Sequence, residues 1–170
     1  MTTSAEHNLM DWLRDAHAME EHAETMLMTT ASRLENYPEV RVQFEKHINE
    51  TREQARLIKT CIDRRGGRTS AVKDLAAKAV ATGQGLSGLF VSDEIVKAAM
   101  ATYTFQHVQI AAYRVLIAAA ELLEDVDTKH VCETILAQEQ AMANWLTEHL
   151  PDITQRFLVR AATPRATAKH

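Results

Sequence analysis

Carboxylate and amide side chains interrupt the apolar stripes of four helical segments in this chain. They are Glu20 in the first segment, Glu50 in the second, Gln106 and Gln109 in the third, and Glu139 in the fourth. A polar group directed into a bundle core costs free energy unless a partner satisfies it. In four-helix bundles such a ring typically holds a pair of iron or manganese ions. The pattern therefore predicts a mid-bundle polar site, in which bound metal and a hydrogen-bonded network are the two alternatives.

The donor set of this site differs from the usual set for two metal ions. Di-metal bundles take one Glu from each of two helices and a Glu-x-x-His pair from each of the other two. Here Glu139 is followed three residues later by Met142, which would not replace a histidine as an iron ligand. The candidate ligands are Glu20, Glu50, Glu53, His107 and Glu139. The residues that would close the ring without metal are Gln54, Gln106, Gln109, His47 and His17.

The polar positions also lie at similar heights in the predicted bundle. At 1.5 Å per residue, the distance along the helix from the hairpin turn is roughly 20–25 Å for Glu20, Glu50, Gln109 and Glu139. The side chains therefore form one layer. The candidate ions are iron, manganese and zinc. A site without metal is favoured over a site for any one of these ions.

Helical periodicity predicts the elements that position this layer. The first helix begins after Thr3 or Ser4 and ends at residues 36–38, and Pro38 occupies the first turn of the second. The second helix ends at residues 64–67, where two arginines precede two glycines. A third helix is predicted from Ser92 or Asp93 to about residue 123, and a fourth from Thr128 to about residue 150, closed by Pro151.

The connection between the second and third helices is long. It covers roughly residues 68–91 and contains one short amphipathic helix at about residues 71–82. Two antiparallel helix hairpins joined by one long crossover predict an all-α, ferritin-like four-helix bundle. Residues 1–150 are expected to form the bundle, and residues 151–170 a C-terminal extension with a short helix and a disordered basic tail.

Composition excludes several classes of function. The chain has 170 residues, 5 Gly, 3 Pro and a formal net charge of -4, which favours one all-α domain without a broad nucleic-acid surface. No apolar run approaches the length of a membrane span, and the N-terminus lacks the features of a signal peptide. Cys61 and Cys132 lie within helical patterns, as expected for reduced core thiols of a cytoplasmic protein.

From about residue 13 to residue 150, the chain resembles the YciE/YciF-type ferritin-like family of bacterial stress-associated proteins. Four segments carry the resemblance. They are Asp15–His22, similar to D-x-Y-x-A-E-x-Q; Phe44–Gln54, similar to F-x-x-H-L-E-E-T-x-x-Q; Gln106–Tyr113, similar to E-H-Y-E-I-A-x-Y; and Leu136–Leu146, similar to L-x-E-E-K-A-x-D-x-x-L.

The resemblance implies an inward carboxylate cluster of the di-metal type, which is depleted in this chain. The family positions retained are Glu20, Glu50, Gln54, His107 and Glu139. Gln106 and Gln109 replace two glutamates, and Ala143 replaces an aspartate. An amide keeps the shape and hydrogen bonding of a carboxylate but loses the charge that holds a divalent ion. The glutamines could therefore donate to Glu20, Glu50 and Glu139 in place of metal.

Two functions stay open at this point. The first is a ferritin-like stress protein with a divalent metal in the layer and at most a vestigial metal-dependent oxidase activity. The second is a metal-free structural or interaction protein that acts through oligomerisation. Residues 110–123 are apolar around most of the helix circumference, which predicts a homodimer. No hydrolase or transferase motif is present in the sequence, and no particular protein partner is indicated.

Overall fold

The computed structural model describes residues 3–67 and 95–163, which form four long helices. We number these helices in chain order. Helix α1 spans Ser4–Ala31, α2 spans Pro38–Arg64, α3 spans Ile95–Leu122 and α4 spans Val126–Ala162. Helices α1 and α2 form one hairpin and α3 and α4 the other, while α1 packs against α3 and α2 against α4. The prediction of an all-α four-helix bundle is confirmed.

Some predicted features fall on residues that the structure does not describe. The crossover with its short helix lies almost wholly within residues 68–94, and most of the predicted basic tail lies within residues 164–170. In the described ranges, no helix is long and apolar enough to cross a membrane.

Local signals in the sequence fix several helix ends. Thr3 caps α1 by accepting a hydrogen bond from the Glu6 backbone N–H at 3.2 Å, while its own N–H donates to the Glu6 carboxylate. Pro38 occupies the first turn of α2, where its missing N–H has no helical partner to lose. Gly66 follows α2 with a φ of 73°, a conformation that favours glycine. These predicted ends are confirmed.

Ion pairs connect the end of α2 to the turn between α3 and α4. Arg64 and Arg65 both donate to the Asp125 carboxylate, each at 2.8 Å. Asp125 also caps α4 by accepting from the Thr128 backbone N–H at 3.1 Å. The Asp125 carboxylate therefore caps the start of α4 and also connects the two hairpins at this end of the bundle.

The core consists of two apolar clusters. The first lies at the end with the α1–α2 turn, and its largest members are Leu27, Tyr37, Phe44, Ile95, Met142 and Leu146. The second lies at the end with the α3–α4 turn and includes Leu9, Leu13, Ile58, Tyr113, Leu116 and Ile135. Burying each such side chain stabilises the fold by about 1.5–3 kcal/mol. The unpaired thiols of Cys61 and Cys132 also lie in the second cluster.

Helix α4 extends beyond its predicted end. We expected Pro151 to close it, because proline removes a helical hydrogen bond, but the helix continues through Pro151 to Ala162. The prediction was wrong because tertiary contacts outweigh the cost of the proline. Ile153 is buried and Phe157 packs against the first apolar cluster. Arg156 also pairs with Glu39 and lies over the ring of Tyr37.

Candidate functional site

Six amide, carboxyl and imidazole side chains with no exposed surface lie in the middle of the bundle, and we call them the central layer. They are Glu20 on α1, His47 and Gln54 on α2, Gln106 and Gln109 on α3, and Glu139 on α4. The spacings of three and seven residues on α3 and α2 place each pair on the inward face of its helix. Because buried polar groups need partners, the hydrogen bonds of this layer decide what it can do.

Two donors from α3 satisfy Glu20. The Gln109 side-chain amide donates to Oε2 at 2.9 Å, and the Tyr113 hydroxyl donates to Oε1 at 2.5 Å. Burial, together with the nearby charge of Glu139, raises the pKa of Glu20 to about 8. Burial and the adjacent Glu20 raise the pKa of Tyr113 well above its usual value, so the hydroxyl keeps its proton.

The role of Tyr113 was missed by sequence reasoning, which named it only as the last residue of the Gln106–Tyr113 segment. A signal was available in its spacing, because Tyr113 follows Gln109 by four residues and so shares its face of the helix. A buried tyrosine hydroxyl also needs a partner.

On the opposite side of the layer, His47 lies between two carboxylates. Its Nε2 is 3.5 Å from Glu139 Oε2, and its Nδ1 is 3.0 Å from Glu50 Oε2. Burial lowers the pKa of His47, but the contacts with Glu139 and Glu50 outweigh that effect and raise the pKa to about 9. The histidine also lowers the pKa of Glu50 by hydrogen bonding to it. At neutral pH the ring is therefore an imidazolium, held between the carboxyl groups of Glu139 and Glu50.

The remaining glutamines complete this side of the layer. Gln54 donates from one amide nitrogen to Glu139 Oε1 at 2.7 Å and to Gln138 Oε1 at 2.9 Å. The Gln106 amide lies 3.1 Å from His47 Nε2. A protonated ring nitrogen requires an acceptor there, so the amide must present Oε1 to it. That orientation also satisfies an amide oxygen that is otherwise buried without a partner.

The structure corrects the predicted placement of one candidate ligand on α2. Glu53 is exposed and pairs with Arg56, whose Nε lies 2.8 Å from Oε2. The residues that α2 contributes to the central layer are His47 and Gln54. Glu53 precedes Gln54 directly, so its side chain is rotated by about 100° around the helix axis. Glu50 lies at the edge of the layer with 24% of its side chain exposed, and it reaches inward only to His47.

Two histidines are also absent from the layer. His107 is exposed and contacts the ring of Tyr103 edge-on, with 4.6 Å between centroids. It follows Gln106 directly, so it projects from a different face of α3. His17 lies near Glu21, with 3.7 Å between Nδ1 and Oε2. Neither histidine contacts a carboxylate of the central layer in the described hydrogen bonds and ion pairs.

The donor set does not fit a dinuclear metal centre. Two divalent ions bring four positive charges, whereas the layer and its edge offer the carboxylates of Glu20, Glu139 and Glu50. His47 already lies between two of them, and Met142 is buried where the usual motif has a histidine. In residues 3–67 and 95–163, no three His, Cys, Asp or Glu side chains are arranged to hold a metal ion.

Comparison with known proteins identifies relatives over almost the whole chain. A family model described as "Domain of unknown function (DUF892)" matches residues 4–159. A crystal structure of a protein from Xanthomonas campestris pv. campestris is similar, with 34% identity and a TM-score of 0.80 over 94% of this chain and 100% of that chain.

Two further solved structures share the fold at lower identity. The E. coli stress protein YciF is 20% identical, with a TM-score of 0.72 over 92% of this chain and 99% of its own. YcfI from Rhodopseudomonas palustris, described as a putative structural protein, is 23% identical, with a TM-score of 0.65 over 86% and 94%. Both show that the four-helix arrangement is shared.

Proposed function

Because this chain belongs to the DUF892 family, which confirms the predicted YciE/YciF-type relationship, we propose that it is a bundle protein of the bacterial stress response. In this proposal it acts by association between protein chains and carries no dinuclear metal. The description of YciF as a stress protein supports the biological setting. The description of YcfI as a putative structural protein supports a role without catalysis.

The position of His47 is the observation that carries the proposal. Its imidazole lies between Glu139 and Glu50, where it supplies the positive charge that a metal would otherwise bring. A buried carboxylate is tolerated when it is paired and hydrogen-bonded. The Glu139 carboxylate is paired with His47 through Oε2. It is also hydrogen-bonded, because Gln54 donates to Oε1 at 2.7 Å.

Glu20 needs no metal either. Gln109 and Tyr113 each donate to a different oxygen of its carboxyl group. Burial raises the pKa of Glu20 to about 8, above the usual value of a carboxyl group. A raised pKa weakens this group as a ligand for a divalent ion, because a metal binds the deprotonated form.

A single divalent cation is the second candidate, and one observation favours it. Side-chain oxygens of Gln54, Gln109 and Glu139 are buried without a hydrogen-bond partner in the described structure. Oxygen atoms of this kind suit iron or manganese better than zinc. In this second candidate Glu20 and Glu139 would be the anionic ligands, and the amide oxygens would complete the set.

Elemental analysis and thermal melting separate the two candidates. The protein is purified without an affinity tag, and its melting temperature is measured with and without ferrous iron, manganese or zinc. The proposal predicts far less than one metal ion per chain and no rise in melting temperature with any ion. Near-stoichiometric metal, or a rise that saturates with one ion, would replace the proposal by the second candidate.

A further inference from the structure

We propose that Cys61 on α2 and Cys132 on α4 form a disulfide bond when the folded protein meets hydrogen peroxide. The bond joins the two hairpins, because α2 belongs to the first hairpin and α4 to the second. Both thiols are reduced and buried in the structure. The inference goes beyond the proposed function, since it concerns neither the central layer nor the association of chains.

The register of α2 against α4 places the two cysteines opposite each other. Gln54 on α2 donates to Glu139 on α4 at 2.7 Å, so these two residues face each other. Cys61 follows Gln54 by seven residues, and Cys132 precedes Glu139 by seven. Seven residues make about two helical turns, and in an antiparallel pair these two steps lead in the same direction. The cysteines therefore occupy the next facing positions along the same interface.

Contacts beyond the cysteines support this register. Arg64, three residues after Cys61, donates to the Thr128 hydroxyl at 3.0 Å and to Asp127 at 2.7 Å. Thr128 lies one turn before Cys132 on α4. The end of α2 therefore meets the start of α4, as an antiparallel pair requires. Side-chain contacts connect the two helices on both sides of the thiols, which holds their register at this point.

The two thiols are enclosed in the second apolar cluster. The exposed fraction is 2% for Cys61 and 0% for Cys132. A disulfide requires Cα atoms about 4.4–6.8 Å apart. Packed helices have axes about 8–10 Å apart and Cα atoms about 2.3 Å from each axis, so directly facing positions come within this range. The short cysteine side chains allow such an approach.

The two thiols differ in their readiness to react. Burial and the nearby Cys61 raise the pKa of Cys132 to about 12. Burial also raises the pKa of Cys61, but a hydrogen bond with Thr128 and the charge of Arg64 oppose that effect. Cys61 lies in the last turn of α2, where local opening gives a small oxidant access. Cys61 is therefore the thiol that reacts first, and its burial makes the reaction slow.

The oxidation takes two steps and one molecule of peroxide. The Cys61 thiolate attacks a peroxide oxygen, so an S–O bond forms, the O–O bond breaks and the leaving hydroxide takes a proton to become water. The Cys132 sulfur then attacks the resulting sulfenic acid, so the S–S bond forms, the S–O bond breaks and the hydroxyl group leaves with the Cys132 proton as water. Two thiols and one peroxide thus give one disulfide and two waters, and the two electrons lost by the sulfurs reduce the peroxide oxygens.

The cross-link should stabilise the fold. It closes a loop of about 70 residues, and a disulfide over a long loop restricts the unfolded chain. The melting temperature of the oxidised protein should therefore rise by about 4–10 °C.

Peptide mapping without reduction tests the proposal on the full chain. Protein purified in reductant is desalted, treated with hydrogen peroxide in native buffer, alkylated and digested. We expect one pair of peptides linked through Cys61 and Cys132, which dithiothreitol separates. On a non-reducing denaturing gel the oxidised protein should run as a single chain. Its melting temperature should rise as stated and return to the original value after reduction.

Single serine variants test the order of the two steps. Cys132→Ser should accumulate a sulfenic acid at Cys61, which dimedone traps. Cys61→Ser should leave Cys132 unlabelled over the same time. Melting curves verify that each variant is folded, and peptide mapping of the unmodified protein decides the disulfide even where a variant does not fold.

Four results would overturn the proposal. They are thiols that react with peroxide only after unfolding in urea, a disulfide that links two chains, dimedone labelling of Cys132 in place of Cys61, and an oxidised protein that melts no higher than the reduced one. None of these measurements depends on metal content, so a failed disulfide and a failed metal-free layer give different results.

Discussion

The Tyr113 hydroxyl lies 2.5 Å from Glu20 Oε1, and both side chains are fully buried. This bond crosses from α3 to α1 in the middle of the bundle, so the two hairpins share it. Gln109 occupies the second oxygen of the same carboxyl group at 2.9 Å. Removing either donor therefore leaves a buried oxygen without a partner, and the resulting cost can be measured.

Replacing Tyr113 with Phe should destabilise the protein by about 1–3 kcal/mol, the cost of an unsatisfied buried polar group. Urea unfolding followed by circular dichroism measures the change. Tyr103→Phe on the same helix is the control, because Tyr103 is partly exposed and lies outside the layer. Equal losses in the two variants would contradict the assigned role of the Tyr113 hydroxyl.

Replacing Gln109 with Glu should destabilise the protein by about 2–4 kcal/mol, because it buries a second carboxyl group beside Glu20. Gln106→Glu is the matched variant and should be better tolerated, since the new carboxylate would lie beside the imidazolium of His47. Melting curves with ferrous iron, manganese and zinc complete the comparison. If any of these ions restored Gln109→Glu to full stability, the layer would be a metal site with intact geometry.

The stabilisation contributed by His47 and Glu20 should fall as pH rises from about 4.5 to 9. The pKa of His47 is raised from 6.5 to about 9 in the folded state, so its contribution is complete below pH 6.5 and lost as pH approaches 9. The pKa of Glu20 is raised from 4.5 to about 8, so its contribution is lost between those values. At these two residues the folded state binds more protons than the unfolded state throughout this range.

Chemical unfolding at pH 6, 7.5 and 9 measures this dependence. The contribution of His47 is on the order of 3 kcal/mol between pH 6.5 and 9. His47→Gln should flatten that part of the curve, whereas His130→Gln, at an exposed site, should not. A pH profile that is unchanged in His47→Gln would show that the ring is neutral in the folded protein.

Replacing Ile153 with Ala should cost about 2–5 kcal/mol, as for other buried aliphatic truncations. Leu158→Ala on the same part of α4 is the control, because Leu158 is 59% exposed. Differential scanning calorimetry should show one cooperative transition shifted to lower temperature for Ile153→Ala alone. Similar melting temperatures for both variants would mean that α4 beyond Pro151 is not part of the core.

The helix starts and the central layer could be predicted from the sequence, each for a physical reason. Thr3 and Pro38 mark helix starts by local hydrogen bonding and backbone geometry, which need no tertiary information. The inward placement of Glu20, Gln109 and Glu139 follows from their position on apolar stripes, because a stripe defines the buried face.

The errors have equally definite causes. Glu50, Glu53 and Gln54 all lie within two helical turns after His47, and sequence periodicity did not decide which of them is central. Only contacts between helices place Gln54 against Glu139. The predicted end of α4 was wrong because we applied a local rule for proline at a position where packing between helices determines the helix length. No local pattern reports that Phe157 has a cluster to pack against.

Because α4 continues past Pro151 and packs on the first hairpin, the core around that hairpin can be completed only late in translation. Tyr37 is buried in the turn of the first hairpin, yet Arg156 from α4 lies over its ring and Phe157 packs in the same cluster. The first hairpin therefore leaves the ribosome with part of its apolar surface uncovered. That surface stays open to chaperones and to aggregation until Phe157, about 90 residues after the end of α2, has been added.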